Sequence, residues 1–260
     1  MNLKNGCFVL LFMLFVYMAT ASVSHATETR PFSQGTAYTL PAGRMEIGIF
    51  APLRYGLRDD FEISLHPLAM FVWPAVSVKK QWYSAESWVF STTHTLEVPT
   101  PFLRLIQVEG TGGLIPTDNV IPWFLMSEHR ALLTTRVSFA HELTVFAGFT
   151  GAVHANDMHM DTIDYPLVFH RLAPLYHNVA MRFGADLDGR MGDDWFYSLD
   201  VDLFVIDDVT SRFSIEHGFG LMYRVGKRSQ LFFGYKFAWA QLPFGTHSVL
   251  LPLIDFSWGF

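Results

Sequence analysis

The sequence predicts an all-β fold: an antiparallel up-and-down transmembrane β-barrel, with twelve strands favoured and ten as the alternative. Apolar and polar residues alternate with period two in one segment after another, which is the pattern of a strand with two different faces. The alternating runs are about 10–13 residues long, and a tilted membrane-crossing strand needs about 9–11. Short and long connections alternate between the runs. With no domain boundary visible in the sequence, residues 27–260 are expected to form one barrel domain.

The first 26 residues have the features of a signal peptide. Lys4 supplies a positive start, residues 7–18 form an apolar run, and Ser24 and Ala26 are the small residues of a cleavage site. A retained anchor helix is the alternative, but the apolar run is short for one. Since Cys7 is the single cysteine of the chain, the mature protein is expected to have no disulfide.

The composition indicates a chain rich in apolar surface. Half of the residues are hydrophobic and 16% are charged, whereas soluble domains contain about 25% charged residues. After the first twenty residues, no stretch approaches the roughly 18 apolar residues of a membrane-spanning helix. Without Lys4, 17 basic residues stand against 24 acidic ones, a formal net charge of −7. This charge argues against nucleic acid as a partner.

Four segments alternate in the first half of the mature chain. They are residues 44–56, 61–65, 88–97 and 142–154. In residues 44–56 the odd positions are apolar or aromatic and the even positions include Glu46 and Arg54. Each segment is therefore predicted to form a strand with an apolar and a polar face.

The second half alternates more regularly. Residues 178–188, 194–205, 213–225 and 231–239 place apolar side chains mainly on odd positions and polar ones on even positions. Counted backwards from the C-terminus, the chain gives eleven strands. Because single-chain bacterial barrels have an even number, residues 36–40 are expected to supply the twelfth.

The connections are predicted to differ between the two ends of the barrel. The short turns are residues 56–60, 83–86, 138–141, 188–193 and 226–229. The longer connections are residues 67–73, 99–120, 155–176, 207–211 and 241–247. The two longest connections are candidates for partner binding or for folding inward as a plug.

A soluble β-sandwich is the main alternative, since its strands also alternate. Sandwich strands are usually about 5–6 residues long, and their exposed face would carry more charge. Here the apolar face recurs on each strand and is dense in Phe, Trp, Leu and Val. This favours apolar side chains toward lipid and polar side chains toward a lumen.

The last strand ends on an aromatic residue. One of its faces carries Ile254, Phe256, Trp258 and Phe260. This ending resembles the insertion signal of bacterial outer-membrane proteins. The resemblance implies a place in the outer membrane of a Gram-negative bacterium, with outer-membrane lipid and the barrel-assembly machinery as partners. An unpaired amphipathic strand is suited to such recognition by strand addition.

A second resemblance lies in residues 53–67, LRYGLRDDFEISLHP. This hairpin resembles one found in outer-membrane barrels of the phenol meta-degradation-pathway type and of related uncharacterised families. Arg58 stands where those families usually have Thr. The resemblance implies a barrel whose turn faces the periplasm, and it implies no particular substrate.

The polar faces carry charges of both signs, which are expected to line the lumen. The candidates are Glu46, Arg54, Glu62, Arg130, Arg136, Glu142, Arg182, Asp186, Asp200, Asp202, Glu216, Arg224 and Lys236. Charges in a confined lumen are costly unless paired, so the mixed signs predict cross-strand ion pairs. One interpretation is a barrel filled and held by these pairs, and the other is a narrow passage for small solutes.

The stretch from His154 to His177 is rich in His and Asp. These residue types can bind Zn²⁺ or Cu²⁺, but nothing in the spacing fixes them together. A solvated polar loop explains the same residues, so no metal site is predicted.

An enzyme is not predicted. Lipid-modifying barrels use a His and a Ser two residues apart on a strand, and this spacing occurs at none of the predicted strands. The sequence therefore favours a narrow outer-membrane passage for small polar or amphipathic solutes, without catalytic residues, metal or cofactor. A structural or adhesive barrel and, less favoured, a lipid-modifying enzyme are the alternatives.

Overall fold

The computed structural model describes residues 34–107, 115–156, 158–208, 212–226 and 228–259. They form a closed barrel of twelve antiparallel strands, in which each strand pairs with its sequence neighbours and the first pairs with the last. The predicted fold class and the favoured strand number are confirmed. The expected signal peptide, Asp157 and Phe260 lie outside the described residues.

The strands are β1 (Met45–Gly48), β2 (Leu53–Arg58), β3 (Phe61–Leu65), β4 (Ala75–Ser84), β5 (Trp88–Glu97), β6 (Phe124–Ser138), β7 (His141–His154), β8 (Val179–Arg190), β9 (Trp195–Ile206), β10 (Phe213–Val225), β11 (Ser229–Leu242) and β12 (Gly245–Gly259). The helices α1 (Thr100–Gln107) and α2 (Pro166–His177) lie within long connections. Among the described residues, no helix is long and apolar enough to cross a membrane.

The two ends of the barrel differ in their connections. At one end, the short-turn end, five links of two to four residues join β2–β3, β4–β5, β6–β7, β8–β9 and β10–β11. The opposite, long-loop end carries α1, α2 and a 3₁₀ turn at Ala69–Phe71. Register shifts occur in β2, β4 and β6 close to the short turns, where bulges commonly bend the rim of a barrel.

The outer face of the barrel is apolar and the inner face is polar. Phe149, Met181, Phe183, Phe233 and Phe237 are all exposed although they lie within strands. Their sequence neighbours point inward, because successive side chains of a strand alternate between its faces. Such a continuous exposed apolar surface is not typical of a soluble monomer.

Two internal segments are packed into this barrel by apolar contacts. At the long-loop end, Phe169 and Ala173 of α2 pack against Ala180, Ile206 and Ala240 of the wall. Nearer the short-turn end, Ala37 packs against Val89, Leu132 and Phe146. Both segments are thus part of the barrel's interior.

The first strands differ from the prediction. Residues 44–56 were expected to form one strand, but the chain turns at residues 49–52 and forms β1 and β2. The Asp255 carboxylate holds this turn, since it accepts the backbone N–H groups of Ile49, Phe50 and Ala51, each at 3.0 Å. Residues 36–40, expected as the twelfth strand, lie inside the barrel instead.

The predicted long connection at residues 241–247 is also wrong. β11 ends at Leu242 and β12 begins at Gly245, so Pro243 and Phe244 alone link them. Gly245 has a φ of 136°, a conformation that glycine adopts most easily. The alternation of apolar and polar residues is interrupted at residues 241–247, although the connection between β11 and β12 is short.

Candidate functional site

A group of ion pairs, the central network, crosses the middle of the lumen. Arg182 on β8 lies between two acids: its Nη1 is 3.3 Å from Oε1 of Glu128, and its Nη2 is 3.0 Å from Oδ2 of Asp202. Nζ of Lys236 on β11 lies 3.4 Å from Oδ2 of Asp202 and 3.4 Å from Oε2 of Glu216. Each pair joins strands that are adjacent or two apart in the wall, and together they follow the wall from β6 to β11 and occupy part of the lumen.

A second group, the lower network, lies near the short-turn end. Arg54 is nearly fully buried, with Nη2 2.7 Å from Oε2 of Glu62 and Nη1 3.0 Å from Oε2 of Glu46. Arg44 adds a third pair, since its Nη2 is 2.7 Å from Oε1 of Glu46. Two carboxylates therefore share two guanidinium groups, which satisfies charges that would be costly alone.

The segment of residues 34–43, which precedes β1, enters the lumen at the short-turn end. Nζ of Lys79 donates to the carbonyl oxygens of Thr36 at 3.0 Å and Tyr38 at 3.1 Å. The backbone N–H of Ala37 donates to Oγ1 of Thr134 at 2.7 Å. These contacts tie the segment to walls on two sides, so it narrows this half of the barrel.

Gly56 makes room for this segment. A Cβ built on Gly56 would lie 2.6 Å from the carbonyl oxygen of Leu40 and would also collide with that of Pro41. Any other residue at position 56 would push the segment out of its place. The close approach of the segment therefore explains why glycine stands at position 56, in the YGL sequence.

Helix α2 occupies the long-loop end. Pro166 stands at its first position, which favours helix initiation. Arg171 reaches the wall, where its Nη2 lies 2.8 Å from Oε2 of the fully buried Glu216. His170 adds a contact of 2.8 Å between its Nε2 and Oε1 of Glu216. The helix is therefore attached to β10 through one carboxylate.

The environment of His170 keeps its ring neutral. Burial lowers the pKa of His170 from 6.5 to about 4, although the hydrogen bond to Glu216 opposes that shift. Nε2 of the ring lies 2.8 Å from Oε1 of Glu216 and 2.7 Å from Nη1 of Arg171, and Nδ1 has no hydrogen-bond partner among the described residues.

Two of the cavities among the described residues lie beside these internal segments and are the larger ones. The larger has a volume of about 710 Å³ and is lined by groups that include Arg130, Arg182, Asp200 and Lys236. The smaller, about 320 Å³, lies beside α2 and is lined by groups that include Trp73, Glu97 and His170. The larger one is the candidate site for a solute.

The structure brings most of the predicted lumen residues together. The central network contains Arg182, Asp200, Asp202, Glu216 and Lys236, and the lower network contains Glu46, Arg54 and Glu62. Arg130 and Asp186 line the larger cavity beside these networks.

Three predicted residues lie apart from the networks. Arg136 is exposed at the rim of the short-turn end. Glu142 accepts a hydrogen bond from the hydroxyl group of Tyr38 at 3.4 Å. Arg224 lies over the ring of Phe196, with its guanidinium carbon 5.0 Å from the ring centre.

Sequence reasoning did not identify the role of Arg171, and it placed His170 in a solvated loop. Pro166 ahead of a largely apolar stretch was the available signal for a helix. Of the His and Asp residues between His154 and His177, the described ones belong to no group of three or more possible metal ligands. The position of α2 inside the barrel depends on packing against strands that are distant in the sequence, and the local sequence pattern does not reveal such packing.

No protein-family model matches the chain. No curated protein matches its sequence. Among solved structures, the NanC porin has a TM-score of 0.47 at 9% identity, with 83% of this chain and 96% of that chain covered. The KdgM porin in complex with disordered oligogalacturonate has a TM-score of 0.39 at 10% identity, with 83% and 94% covered.

The outer membrane channel DcaP of Acinetobacter baumannii has a TM-score of 0.40 at 11% identity, with 92% of this chain and 68% of that chain covered. All three TM-scores lie below 0.5, so these likenesses say nothing about what this barrel carries.

Proposed function

We propose that this chain is an outer-membrane barrel of a Gram-negative bacterium that forms a narrow passage for small polar or amphipathic solutes. The observation that supports it is the contrast between an apolar outer face and a charged lumen with a cavity of about 710 Å³. Apolar side chains face lipid at little cost, whereas the paired charges face water and solute.

Reconstitution tests this proposal directly. The mature protein is refolded into lipid vesicles, and the entry of small sugars, amino acids and organic acids is measured by vesicle swelling. We expect slow, size-limited entry that protein-free vesicles do not show. A folded, inserted barrel that admits none of these solutes would instead support a structural or adhesive role.

Two further features are part of the proposal. The outward-facing Ile254, Phe256 and Trp258, together with Phe260, would serve as the signal that the barrel-assembly machinery reads. The hairpin at residues 53–67 supports kinship with barrels of the phenol meta-degradation-pathway type. Release of fatty acid from outer-membrane lipid by the purified protein would contradict a purely passive barrel.

A further inference from the structure

The wall of the barrel is low on one side. β1, β2 and β3 have 4, 6 and 5 residues, whereas β6 to β12 have 12 to 15. At about 3.3 Å per residue, the short strands reach roughly 13–20 Å and the long ones roughly 40–50 Å. The register aligns the strands at the short-turn end, with Glu46 opposite Gly259. Because β1, β2 and β3 are short, the described part of the wall has an opening toward the long-loop end. Residues 245–254 of β12 lie on one side of this opening and β4 lies on the other. We call this opening the lateral gap.

The edge of β12 shows this gap. Among the described residues, the part of β12 from Gly245 to Ile254 pairs with β11 alone, and only residues from Ser257 onward pair with β1. Pro252 lies in this one-sided part, and proline is confined to edges of sheets because it lacks an N–H group. Leu251 points inward like its partner Lys236, yet it is 42% exposed.

The larger cavity reaches the lateral gap. Its lining includes Phe50, Leu65, Leu253 and Ile254 at the gap and Arg130 deeper inside. Along the barrel axis, by contrast, the segment of residues 34–43 fills the lower half and α2 the upper end. Among the described residues, β12 is hydrogen-bonded in the sheet to β1 and β11 and not to β4.

A polar path leads from the gap into the cavity. Ser64 is paired with Ser77, and Ser77 with Thr95, on successive strands. The path ends near Arg130, three strand spacings or about 14 Å from Ser64. Nε of Arg130 and Oγ1 of its register partner Thr93 are buried and make no hydrogen bond among the described residues. Nε of Arg130 lies 3.5 Å from Oε2 of Glu128, as an ion pair without hydrogen-bond geometry. Buried donors of this kind are normally satisfied, and a small anionic group would satisfy both.

We propose, on the basis of the passage proposed above, that anionic single-chain amphiphiles enter the cavity sideways through the lateral gap. Their carboxylate is bound by Arg130 and Thr93. The alkyl chain extends from Arg130 through the cavity to the gap, and its far end lies against Phe50, Leu253 and Ile254, where it meets the bilayer. The route exchanges molecules between lumen and membrane, and an axial pore is not required.

The first test asks whether the gap is open to lipid. The chain from residue 27 onward has no cysteine, so S64C and S198C each give one site for a bimane label in vesicles. Both residues line the larger cavity, Ser64 near the gap and Ser198 on the far wall. Lipids with a nitroxide on the acyl chain are expected to quench the S64C label severalfold more strongly. Equal quenching would overturn the proposal, and so would cross-linked dimers that protect the S64C label, because a second copy would then cover the gap.

The second test concerns the ligand. Dodecanoate binding to the wild-type barrel in nanodiscs is measured by displacement of a dansyl-labelled fatty acid. R130Q is expected to weaken dodecanoate binding about tenfold or more, since a hydrogen bond to a charged group is lost. R136Q on the same strand, exposed at the rim, is the matched control and should bind normally. Equal binding of dodecanol and dodecanoate would overturn the assignment of Arg130.

Swelling measurements on the same preparations separate the two proposals. A barrel that inserts and admits small solutes, but shows neither preferential quenching nor dodecanoate binding, refutes the sideways route and leaves the passage standing. A chain that does not insert into vesicles refutes both.

Discussion

At the scale of single residues, Glu216 connects helix α2 to the wall of the barrel. Its buried carboxylate is contacted by Arg171 and His170 of α2 and by Lys236 of β11. A buried charge that loses its partners costs several kcal/mol. The position of α2 therefore depends on the charges around one side chain.

We predict that acidification loosens α2. The pKa of His170 is about 4 in the docked helix and 6.5 in a free chain. Between these values the undocked form binds more protons, so the free energy that keeps α2 docked falls as the pH falls from 6.5 to about 4. Glu216 on β10, Arg182 on β8 and the neighbouring Arg171 are the charged groups that act on the ring.

Single-channel recordings at pH 7.5 and pH 5 check this prediction. Conductance is expected to rise at the lower pH in the wild type and in H177Q, whose substitution lies at the end of the same helix. H170Q should respond much less, because its side chain does not titrate. A full response in H170Q would place the titrating group elsewhere.

The directions in which residues of β10 and β11 face, outward or into the lumen, give a second prediction. Phe233 is exposed on the outer face, whereas Gly218 faces the lumen and lies against the carboxylate of Asp200. F233R should destabilise the inserted barrel by about 2–4 kcal/mol if the site is near the bilayer midplane. G218R should be limited mainly by space, since its charge can pair with Asp200. Urea unfolding in vesicles measures both, and equal tolerance would indicate that the outer face at Phe233 does not meet lipid.

At the scale of elements, the sequence predicts β7 to β10 well because each is long and has one apolar, exposed face. The alternation of apolar and polar residues in each strand can be recognised from that segment alone, without knowing which strands are its neighbours in the barrel. β1 and β2 could not be separated in this way. The turn between them keeps the same alternation, and it is held by Asp255, which lies about 200 residues away in the sequence.

The two internal segments were harder to predict for another reason. Residues 36–40 alternate like a strand, but their backbone groups bind the side chains of Lys79, Thr134 and Glu62 in place of a sheet partner. The charged lumen residues could be predicted as a set from strand parity. Their pairing could not, because it depends on the shear of the barrel and on α2.

The last strand gives a third prediction. Deletion of residues 258–260 removes the aromatic ending and also two of the three residue pairs between β12 and β1. The shortened chain is expected to remain in the periplasm and to be degraded. Cell fractionation and heat-modifiable migration in gels measure this. Deletion of residues 69–71, a 3₁₀ turn at the opposite end, is the control and should insert. Normal insertion of the first variant would exclude an assembly signal there.

At the scale of the whole molecule, the barrel is only partly open. Twelve strands enclose more space than the eight that side chains can fill, but less than the 16–18 of open porins. The segment of residues 34–43, α2 and the central network take up much of that space. Among the described residues, the two larger cavities that remain have volumes of about 710 and 320 Å³.

We therefore predict small or intermittent conductance with weak ion selectivity. R182S should enlarge it, because the Arg182 side chain lies in the lumen, where it pairs with Glu128 and Asp202. R224S should enlarge it less, since Arg224 lies over Phe196 outside the central network. R136S at the exposed rim is the control. A large, steady conductance of the unmodified protein in planar bilayers would contradict this prediction.

The short seam between β1 and β12 governs when the barrel becomes closed. It has three residue pairs, Glu46–Gly259, Ile47–Trp258 and Gly48–Ser257, and it joins the two most distant strands of the chain. The other eleven contacts between strands join strands that follow one another in the sequence, so each closes a shorter loop at a smaller entropic cost. The seam has to close the longest loop, and it gains three residue pairs by doing so. The seam should therefore form last during assembly and open first on heating. The lifetime of the closed barrel is then set by three residues of β1 and three of β12.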